Sequence, residues 1–321
     1  MNDRNKLKKS PHEGDAFAAY LENDSRNLGG PGTDRAYSNG FKFSYIYAQD
    51  EAPTWSKRPV HSFGFLQKEA EDAKTNVSIS FAQQIYTPND TSLATLIKND
   101  RPYGAWMYVG FGLSFKEPSV AYYLETDVGM VGPSALGEQV QNGFHDLIHD
   151  EHAKGWANGL KDEPTLQIFF QERFKTYTKR YVDFIPYYGL SLGNVQIAAQ
   201  IGGLIRFGLN LPSDFGPTRP SASDGDSFVS PVNSGNIHKH SAYIFAGIRG
   251  NALARNIFLD GNTLLESQHV KKYPINSDTE VGFGFEFLPV SVAWSYVVRS
   301  PEFEEQSNFN SFASISFVYA L

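Results

Sequence analysis

The feature of this sequence that most constrains its fold is a period-two alternation of apolar and polar residues over long segments. From 281 to 287, Val or Phe occupies every odd position and Gly or Glu every even position. Related alternation occurs at 41–47, 77–85, 290–299 and 315–321. Because successive side chains of an extended chain point to opposite faces, this pattern predicts β-strands with one apolar face.

The length of these segments separates two kinds of β-protein. They run for about ten residues or more, whereas soluble strands usually have about five or six. About ten residues tilted by about 45° cross a bilayer. The apolar face is rich in Phe, Tyr, Val and Ile and the other carries Ser, Gln, Gly, Lys and Arg, which is typical of a transmembrane β-barrel. A soluble β-sandwich is the alternative.

We predict about twelve strands, an even number that suits a closed antiparallel barrel. They cover 15–23, 38–48, 75–86, 103–116, 118–130, 164–178, 181–192, 194–208, 240–254, 277–287, 290–300 and 308–321. The fold class is therefore all-β, with one barrel domain over 15–321 and both termini in the periplasm.

The same count assigns the connections to two sides of the membrane. The loops 24–37, 87–102 and 131–163 are expected at the outer face. Because function often sits in loops on a rigid scaffold, the loops around 24–38 and 131–163 are candidate active-site loops. The stretches 49–74 and 209–239 are expected to be periplasmic and irregular.

Composition narrows the class of protein further. The chain has no Cys, which excludes disulfides and Cys nucleophiles, and its net charge of -7 disfavours general nucleic-acid binding. No run of about 18 apolar residues offers a transmembrane helix. Residues 1–14 are polar and basic, without the apolar core of a signal peptide. We expect them to be a periplasmic extension of a mature envelope protein, although a cytosolic protein would also begin this way.

One segment departs from the strand pattern. Between 136 and 149, apolar residues recur at helical spacing, and Ser134 is a candidate N-cap. Gln141 and His145 are four residues apart and therefore share one face of the predicted helix. His145 can act as a general base near neutral pH, and Gln141 can orient a water or a substrate carbonyl. A surface histidine on an amphipathic loop helix is the alternative.

The histidines of this segment also suggest a metalloprotease, which we disfavour. His145 and His149 have the spacing of two zinc ligands, but Asp146 stands where that motif requires Glu. The remaining candidate for a third ligand is His152. The P-loop and the dinucleotide fingerprint do not occur in the sequence. A Gly-x-Ser-x-Gly run does occur at 189–193, but it lies at the junction of two predicted strands and not at the strand-to-helix turn that an α/β-hydrolase requires.

A second polar cluster follows the first predicted strand. Asn23, Asp24 and the Gly-rich stretch up to Gly40 carry many side-chain oxygens, which a hard cation such as calcium prefers. Plain turn chemistry is the alternative, because Asn, Asp and Gly favour turns in any case.

Nine short motifs, in this order and between these strands, resemble the lipid A 3-O-deacylase (LpxR) family of outer-membrane barrels. They are Leu-Glu-Asn-Asp at 21–24, Thr-Asp-Arg-Ala-Tyr-Ser-Asn-Gly at 33–40, Tyr-Thr-Pro at 86–88, Asp-Arg-Pro-Tyr-Gly-Ala-Trp at 100–106, Gln141 with His145, Lys-Gly-Trp at 154–156, Lys-Asp-Glu-Pro at 161–164, the Gly-Leu-Asn-Leu-Pro-Ser-Asp-Phe-Gly-Pro run at 208–217 and Leu-Asp-Gly-Asn at 259–262. The resemblance extends from about Asp15 to the end of the chain.

The resemblance implies a twelve-stranded barrel in the outer membrane of a Gram-negative bacterium. It also implies a calcium-dependent esterase site, facing the outer surface, that removes the acyloxyacyl chain at the 3-position of lipid A. The implied partners are lipid A or lipopolysaccharide and outer-membrane lipids, with no nucleic acid, and the chain is expected to be a monomer.

The family pattern also assigns roles to individual residues. Asn23 and Asp24 match its metal-binding pair, and Gln141 and His145 match its helical Gln and catalytic His. Ser38 stands at a position that is commonly Thr, so a hydroxyl is retained. In the mechanism that this implies, His145 activates a water and Gln141 and Ser38 orient it or donate to the oxyanion.

Two details of that mechanism stay open at this point. Glu151 lies near an acidic position of the family and is a candidate for fixing the His145 tautomer. A Ser38 nucleophile activated by His145 is an alternative to the water.

The sequence departs from the family pattern in two places. It lacks a basic pair after Tyr-Thr-Pro, with Leu93 and Ala94 at about that point, and 48–76 has no clear counterpart.

Three other functions remain as alternatives. They are a non-enzymatic porin or adhesin barrel, an outer-membrane phospholipase, and a family member that has lost activity.

Overall fold

The computed structural model describes residues 15–24, 26–27, 30–31, 35–47, 74–222 and 240–321. The strands are β1 (Ala16–Asn23), β2 (Arg26–Asn27), β3 (Gly30–Pro31), β4 (Ala36–Tyr47), β5 (Lys74–Thr87), β6 (Gly104–Lys116), β7 (Val120–Val131), β8 (Glu163–Phe174), β9 (Tyr177–Lys179), β10 (Val182–Gly193), β11 (Gln196–Leu209), β12 (His240–Asn256), β13 (Ile275–Phe287), β14 (Val290–Arg299) and β15 (Asn310–Ala320). The α-helices are α1 (Gly137–Ile148) and α2 (Ile257–Asp260), and single 3-10 turns lie at Pro133–Ala135, Trp156–Asn158 and Pro220–Ala222.

Twelve of these strands form a closed antiparallel barrel. The order around the wall is β1-β4-β5-β6-β7-β8-β10-β11-β12-β13-β14-β15, and β15 pairs with β1 from Ala16↔Ala320 to Asn23↔Ala313. The short strand β9 adds to the periplasmic end of β10, and β2 pairs only with β3 in the first outer loop. The all-β barrel predicted from the alternation is therefore confirmed.

Alternation in burial explains why these segments form a barrel. In β15, Ile315, Phe317 and Tyr319 are exposed on the outside, whereas the residues between them are buried toward the lumen. The outer surface is thus apolar and the interior polar, as a bilayer requires. No helix among the described residues is long and apolar enough to cross a membrane.

The helix predicted in the third outer loop is present as α1, but its N-cap differs from the prediction. Leu136 precedes the helix in a left-handed conformation, and His149 ends it in the same conformation. Ser134 instead belongs to the preceding 3-10 turn, where its Oγ donates to Asp162 Oδ2 at 2.7 Å. The predicted Ser134 cap was therefore wrong, because the helix begins at Gly137 and Leu136 occupies the cap position.

Charged side chains in the lumen are held in buried ion pairs. Lys42 Nζ lies 2.7 Å from Glu125 Oε1, and Arg206 Nη2 lies 2.6 Å from Asp183 Oδ2. Arg206 also contacts the Asp214 carboxylate. Because a buried charge is costly unless it is paired, these pairs let charged residues occupy the interior.

The segment 211–222, here called the lumenal segment, runs inside the barrel from its periplasmic end toward its outer end. Near the start, Arg173 Nη1 on β8 donates to the Phe215 carbonyl at 2.9 Å. Further along, Gln84 Nε2 on β5 donates to the Pro220 carbonyl at 3.1 Å. The Ser221 N–H then reaches Glu22 Oε2, near the outer end of β1, at 2.8 Å.

This position corrects the expectation that 209–239 is periplasmic, for its part up to 222. Composition misled the prediction, because a polar segment suits the lumen of a barrel as well as it suits water. Residues 223–239, like 48–73, lie outside the described part of the chain, and so do residues 1–14.

Candidate functional site

The third outer loop folds back over the outside of the barrel wall. Gln83 Nε2 on β5 donates to the Ala135 carbonyl at 2.6 Å. Beside this bond, Ile85 and Ala105 pack with Ala135 and Trp156 in an apolar cluster. Gln83, Ile85 and Ala105 are outward-facing positions of β5 and β6. The helix α1 and its flanking turns therefore lie against the external surface of the wall.

Three residues of α1 face the wall, namely Gly137, Gln141 and His145. Their spacing of four places them in one line along the helix. A Cβ at Gly137 would lie 2.5 Å from Ala105 Cβ and 2.4 Å from the Trp156 ring, so a larger residue would push the helix outward. Gly137 thus permits the close approach that buries the two polar side chains.

The Gln141 amide is fixed at one end and unpartnered at the other. Its Oε1 accepts a hydrogen bond from Trp156 Nε1 at 3.0 Å. Its Nε2 is buried and has no hydrogen-bond partner among the described residues. Because buried donors are nearly always satisfied, this N–H₂ is suited to bind a group that enters the site. The anchoring role of Trp156 was missed by sequence reasoning, which noticed the residue only as part of a motif.

His145 is buried against the wall, and its ring nitrogens have distinct roles. Its Nδ1 contacts the backbone carbonyl oxygen of Glu151. A carbonyl can only accept, so this contact assigns the proton to Nδ1 and the lone pair to Nε2 in the neutral ring. In this tautomer Nε2 is the ring nitrogen that can accept a proton.

Glu151 holds the His145 ring through its backbone, whereas the sequence suggested its carboxylate. The Glu151 side chain is 83% exposed, and its Oε2 lies 4.0 Å from Lys154 Nζ. A backbone contact of this kind leaves no trace in the residue type, so a sequence cannot show it.

The histidines do not converge as zinc ligands. His149 is exposed at the end of α1, and His152 Nε2 contacts Asp146 Oδ1 at 2.7 Å on the solvent side. In the part of the chain that the structure describes, no three His, Asp or Glu residues cluster to hold a metal ion.

Ser38 is placed on the outside of the wall by a β-bulge. The pairing of β4 with β5 shifts between Tyr37 and Asn39, so Ser38 is an additional residue in its strand. Strict alternation from Lys42 through Gly40 would have put Ser38 in the lumen. Instead its Oγ lies 2.5 Å from Thr87 Oγ1. Bulges often redirect a side chain beside a functional site, and this one moves a hydroxyl from one side of the wall to the other.

Asn23 and Asp24 lie beside Ser38 at the end of β1. Asn23 pairs with Asn39 across the strands, and the Asp24 N–H donates to the Ser38 carbonyl at 3.1 Å. Asp24 is buried, and its Oδ2 accepts from the Arg35 N–H at 2.8 Å. The first outer loop thus contributes a carboxylate, an amide and a hydroxyl to one small area.

The two groups of predicted residues meet on the same face of the wall. Ser38 contacts Thr87, which shares an outward face of β5 with Ile85. Ile85 packs with Trp156, and Trp156 donates to Gln141. This chain of contacts joins the residues of the first loop to the helix of the third.

Oxygen donors at the first loop are of the kind that calcium takes. Asn23 and Asp24 supply an amide and a buried carboxylate, and backbone carbonyls lie beside them. The donor chemistry therefore fits a hard cation. Among the described residues, Asp24 would supply the carboxylate ligand.

Glu22 and Tyr37 support this site from the lumen side. They are the chain neighbours of Asn23 and Ser38, and the Tyr37 hydroxyl donates to Glu22 Oε2 at 2.6 Å. Ser221 of the lumenal segment donates its hydroxyl to Glu22 Oε1 at 2.9 Å. This support was also missed, since it depends on a segment expected outside the barrel.

Leu93 and Ala94 lie in the stretch after Tyr-Thr-Pro, at the point where the sequence lacks a basic pair. Leu93 is exposed there, and the Ala94 carbonyl accepts from Asn158 Nδ2 at 2.9 Å. A guanidinium does lie close by, because Arg35 Nη1 donates to Asn89 Oδ1 at 3.0 Å.

The barrel is similar to that of LpxR from Salmonella typhimurium, with a TM-score of 0.73 at 20% identity, over 95% of this chain and 100% of that one. The β domain of the Bordetella autotransporter BrkA gives a TM-score of 0.42 at 8% identity over 96% of this chain and 100% of that one. No curated protein matches.

The family itself is shown by sequence. The family model described as outer membrane protein LpxR matches residues 5–321, which is nearly the whole chain. Together with the closed barrel, this match places the protein in the outer membrane. The chain belongs to the LpxR family of outer membrane proteins.

Proposed function

We propose that this protein is a lipid A deacylase that hydrolyses the ester of the acyloxyacyl chain at the 3-position. The observation that carries the proposal is the placement, outside the barrel wall, of a histidine and of a buried amide donor that has no hydrogen-bond partner among the described residues. His145 and Gln141 supply these two groups one helical turn apart.

In the proposed reaction His145 acts on a water molecule. Its Nε2 takes a proton from the water, whose oxygen attacks the ester carbonyl carbon. The carbonyl oxygen becomes negative and accepts a hydrogen bond from Gln141 Nε2. The bond between the acyl carbon and the 3-oxygen then breaks, and the protonated ring returns its proton to that oxygen. The products are a 3-hydroxyl and a free acyloxyacyl acid.

Ser38 has two possible parts in this reaction. In the water mechanism its hydroxyl, which shares a hydrogen bond with Thr87, orients the water or donates to the oxyanion. As a nucleophile it would form an acyl-enzyme that water then hydrolyses. Trapping an acyl group on Ser38 would decide for the second mechanism.

Calcium is the proposed cofactor, held by Asn23 and Asp24. A bound cation supplies positive charge that stabilises the developing oxyanion. The hydrogen bond from the Asp24 N–H to the Ser38 carbonyl keeps Asp24 next to Ser38.

The site's position suits a lipid substrate. Lipid A lies in the outer leaflet, and the site lies outside the wall at the outer end of β4, β5 and β6. The acyl chains can therefore remain in the hydrocarbon phase while the ester reaches His145.

The segment that lies inside the barrel argues against a porin. The lumenal segment is bonded to β1, β5 and β8, and Arg206 is bound to Asp183 and Asp214. These contacts hold the lumenal segment inside the barrel, along the path that a pore would take.

The test is a mass-spectrometric assay of refolded protein with hexa-acylated lipid A, in calcium and then with a chelator. We expect loss of one acyloxyacyl unit in calcium and none with the chelator. Absence of cleavage by a folded, heat-modifiable barrel would reject the proposal in favour of an inactive relative. Cleavage of glycerophospholipids instead would favour a phospholipase.

A further inference from the structure

The helix α1 has an exposed apolar face that the proposed reaction does not use. Its members lie on the flank of the helix next to the buried line of Gln141 and His145. They are Leu136, Val140, Phe144 and Leu147, all exposed, and Leu147 reaches 76%. On the opposite flank the exposed residue Glu138 begins a polar face. We call the four residues the apolar face of α1.

The apolar face of α1 belongs to a loop that packs on the barrel wall directly above its lipid-facing belt. On that belt Val128 of β7 is 55% exposed and pairs with Val109 of β6 and Leu166 of β8. Met107 is the next outward-facing residue of β6 above Val109, and it packs against the apolar cluster that includes Ala135 of the loop. The belt that contacts lipid therefore ends where the underside of the loop begins.

The nearby lipid-facing wall indicates that lipid covers the apolar face of α1. A row of large apolar side chains exposed to water is unusual on a soluble surface. An amphipathic helix with such a face lies in the membrane interface, with the face about 5–10 Å into the boundary of headgroups and acyl chains. Here the neighbouring surface is itself a lipid-facing wall, so the same hydrocarbon phase reaches the helix.

We propose that the apolar face of α1 is immersed in the acyl chains of outer-leaflet lipid. The helix is then an interfacial anchor, and the space between α1 and the wall, where Gln141 and His145 lie, opens sideways into the membrane. This inference goes beyond the proposed reaction and does not depend on it, because it concerns contact with bulk lipid.

The absence of cysteine from the chain allows a direct test. Single-cysteine variants carry a nitroxide spin label in proteoliposomes of dioleoylphosphatidylcholine. Power-saturation EPR then compares collisions with oxygen, which concentrates in lipid, and with a water-soluble nickel chelate. Leu147→Cys probes the apolar face, Val128→Cys is the reference for the belt, and Glu138→Cys is the matched control on the polar flank.

We expect the label at Leu147 to favour oxygen over the nickel chelate, as the label at Val128 does, and the label at Glu138 to show the reverse preference. A Leu147 label that behaves like the Glu138 label would overturn the proposal. Low accessibility to both reagents would also overturn it, since another protein surface would then cover the face. If Leu147→Cys does not give a heat-modifiable barrel, Phe144→Cys reports on the same face.

Discussion

The two sides of the barrel wall differ most at the outer end of β1 and β4. On the lumen side, Glu22 accepts hydrogen bonds from Tyr37 and from Ser221, so its carboxylate is fully engaged. On the outer side, Gln141 offers a buried N–H₂ group that no described residue accepts. Buried polar groups on the two sides of the wall thus serve different purposes: the satisfied carboxylate of Glu22 holds the structure, and the unsatisfied amide of Gln141 is the group that we assign to the substrate.

The largest expected effect is on the outer side. Replacing His145 by Ala removes the proposed base, and a general base contributes about 10²–10⁴-fold to rate. We expect kcat for fatty-acid release to fall by about that factor while the barrel stays heat-modifiable. His149→Ala is the matched control, because this exposed histidine lies one turn further along α1 and should leave the rate unchanged. Equal losses in both variants would show that the helix, and not the base, was affected.

We expect a substitution in the lumen to lower the stability of the barrel without changing the rate of the reaction. Arg206→Met leaves the buried carboxylates of Asp183 and Asp214 without their cation, which costs about 3–5 kcal/mol for a broken buried pair. Urea unfolding in detergent measures this loss, and kcat should be unchanged. Lys271→Met is the control, since its ion pair with Glu304 is exposed and contributes little. A rate loss in Arg206→Met would contradict the separation of the two sides.

Two tryptophans sharpen the comparison, because each donates one indole hydrogen bond on a different side of the wall. Trp156 Nε1 donates to Gln141 outside, and Trp106 Nε1 donates to Thr165 Oγ1 at 2.9 Å inside. One such bond is worth about 1 kcal/mol. We expect Trp156→Phe to lower kcat about fivefold and Trp106→Phe to lower the free energy of unfolding by about 1 kcal/mol with no change in kcat. Measuring kcat and the free energy of unfolding for both variants tests this assignment. A loss of kcat in Trp106→Phe with no loss in Trp156→Phe would contradict it.

Substitutions of Ser38 test the position of its hydroxyl. Ser38→Thr retains the hydroxyl and should keep most of the activity, while Ser38→Ala should lose about fivefold to tenfold in kcat if the group only orients a water. A loss as large as that of His145→Ala, together with an acyl group trapped on Ser38 in the wild type, would instead identify a nucleophile.

The smallest expected effect is a pH dependence of stability that arises at the periplasmic start of the lumenal segment. Burial beside Phe215 lowers the pKa of Lys175 to about 8, against the opposing attraction of Asp214. The unfolded chain has the ordinary pKa of about 10.4, so between these values it binds more protons than the folded chain. Stability should therefore rise as pH increases from about 8 to about 10. Urea midpoints across this window should rise less in Lys175→Met; the same slope in both proteins would rule out Lys175 as its cause.

The barrel was predictable because lipid and lumen impose opposite polarity on alternate residues. The same rule explains the failures. A single inserted residue at Ser38 reverses its side, and nothing in the residue type marks the insertion. The lumenal segment looks like a solvent loop, because the barrel interior is polar.

The site itself was predictable in part. The spacing of Gln141 and His145 places both on one helix face, and the structure turns that face to the wall. The contact of His145 with the Glu151 carbonyl, and the bond from Trp156 to Gln141, depend on backbone geometry and tertiary packing. Neither can be read from residue types alone.

The most direct test of the account is a parallel measurement of activity and stability on His145→Ala and Arg206→Met, with hexa-acylated lipid A and mass spectrometry of the product. We predict that Arg206→Met removes one acyloxyacyl unit at the wild-type rate from a destabilised barrel. His145→Ala should stay a heat-modifiable barrel and give product about 10²–10⁴-fold more slowly. Cleavage by His145→Ala at the wild-type rate would contradict the assignment of the chemistry to the outer side of the wall.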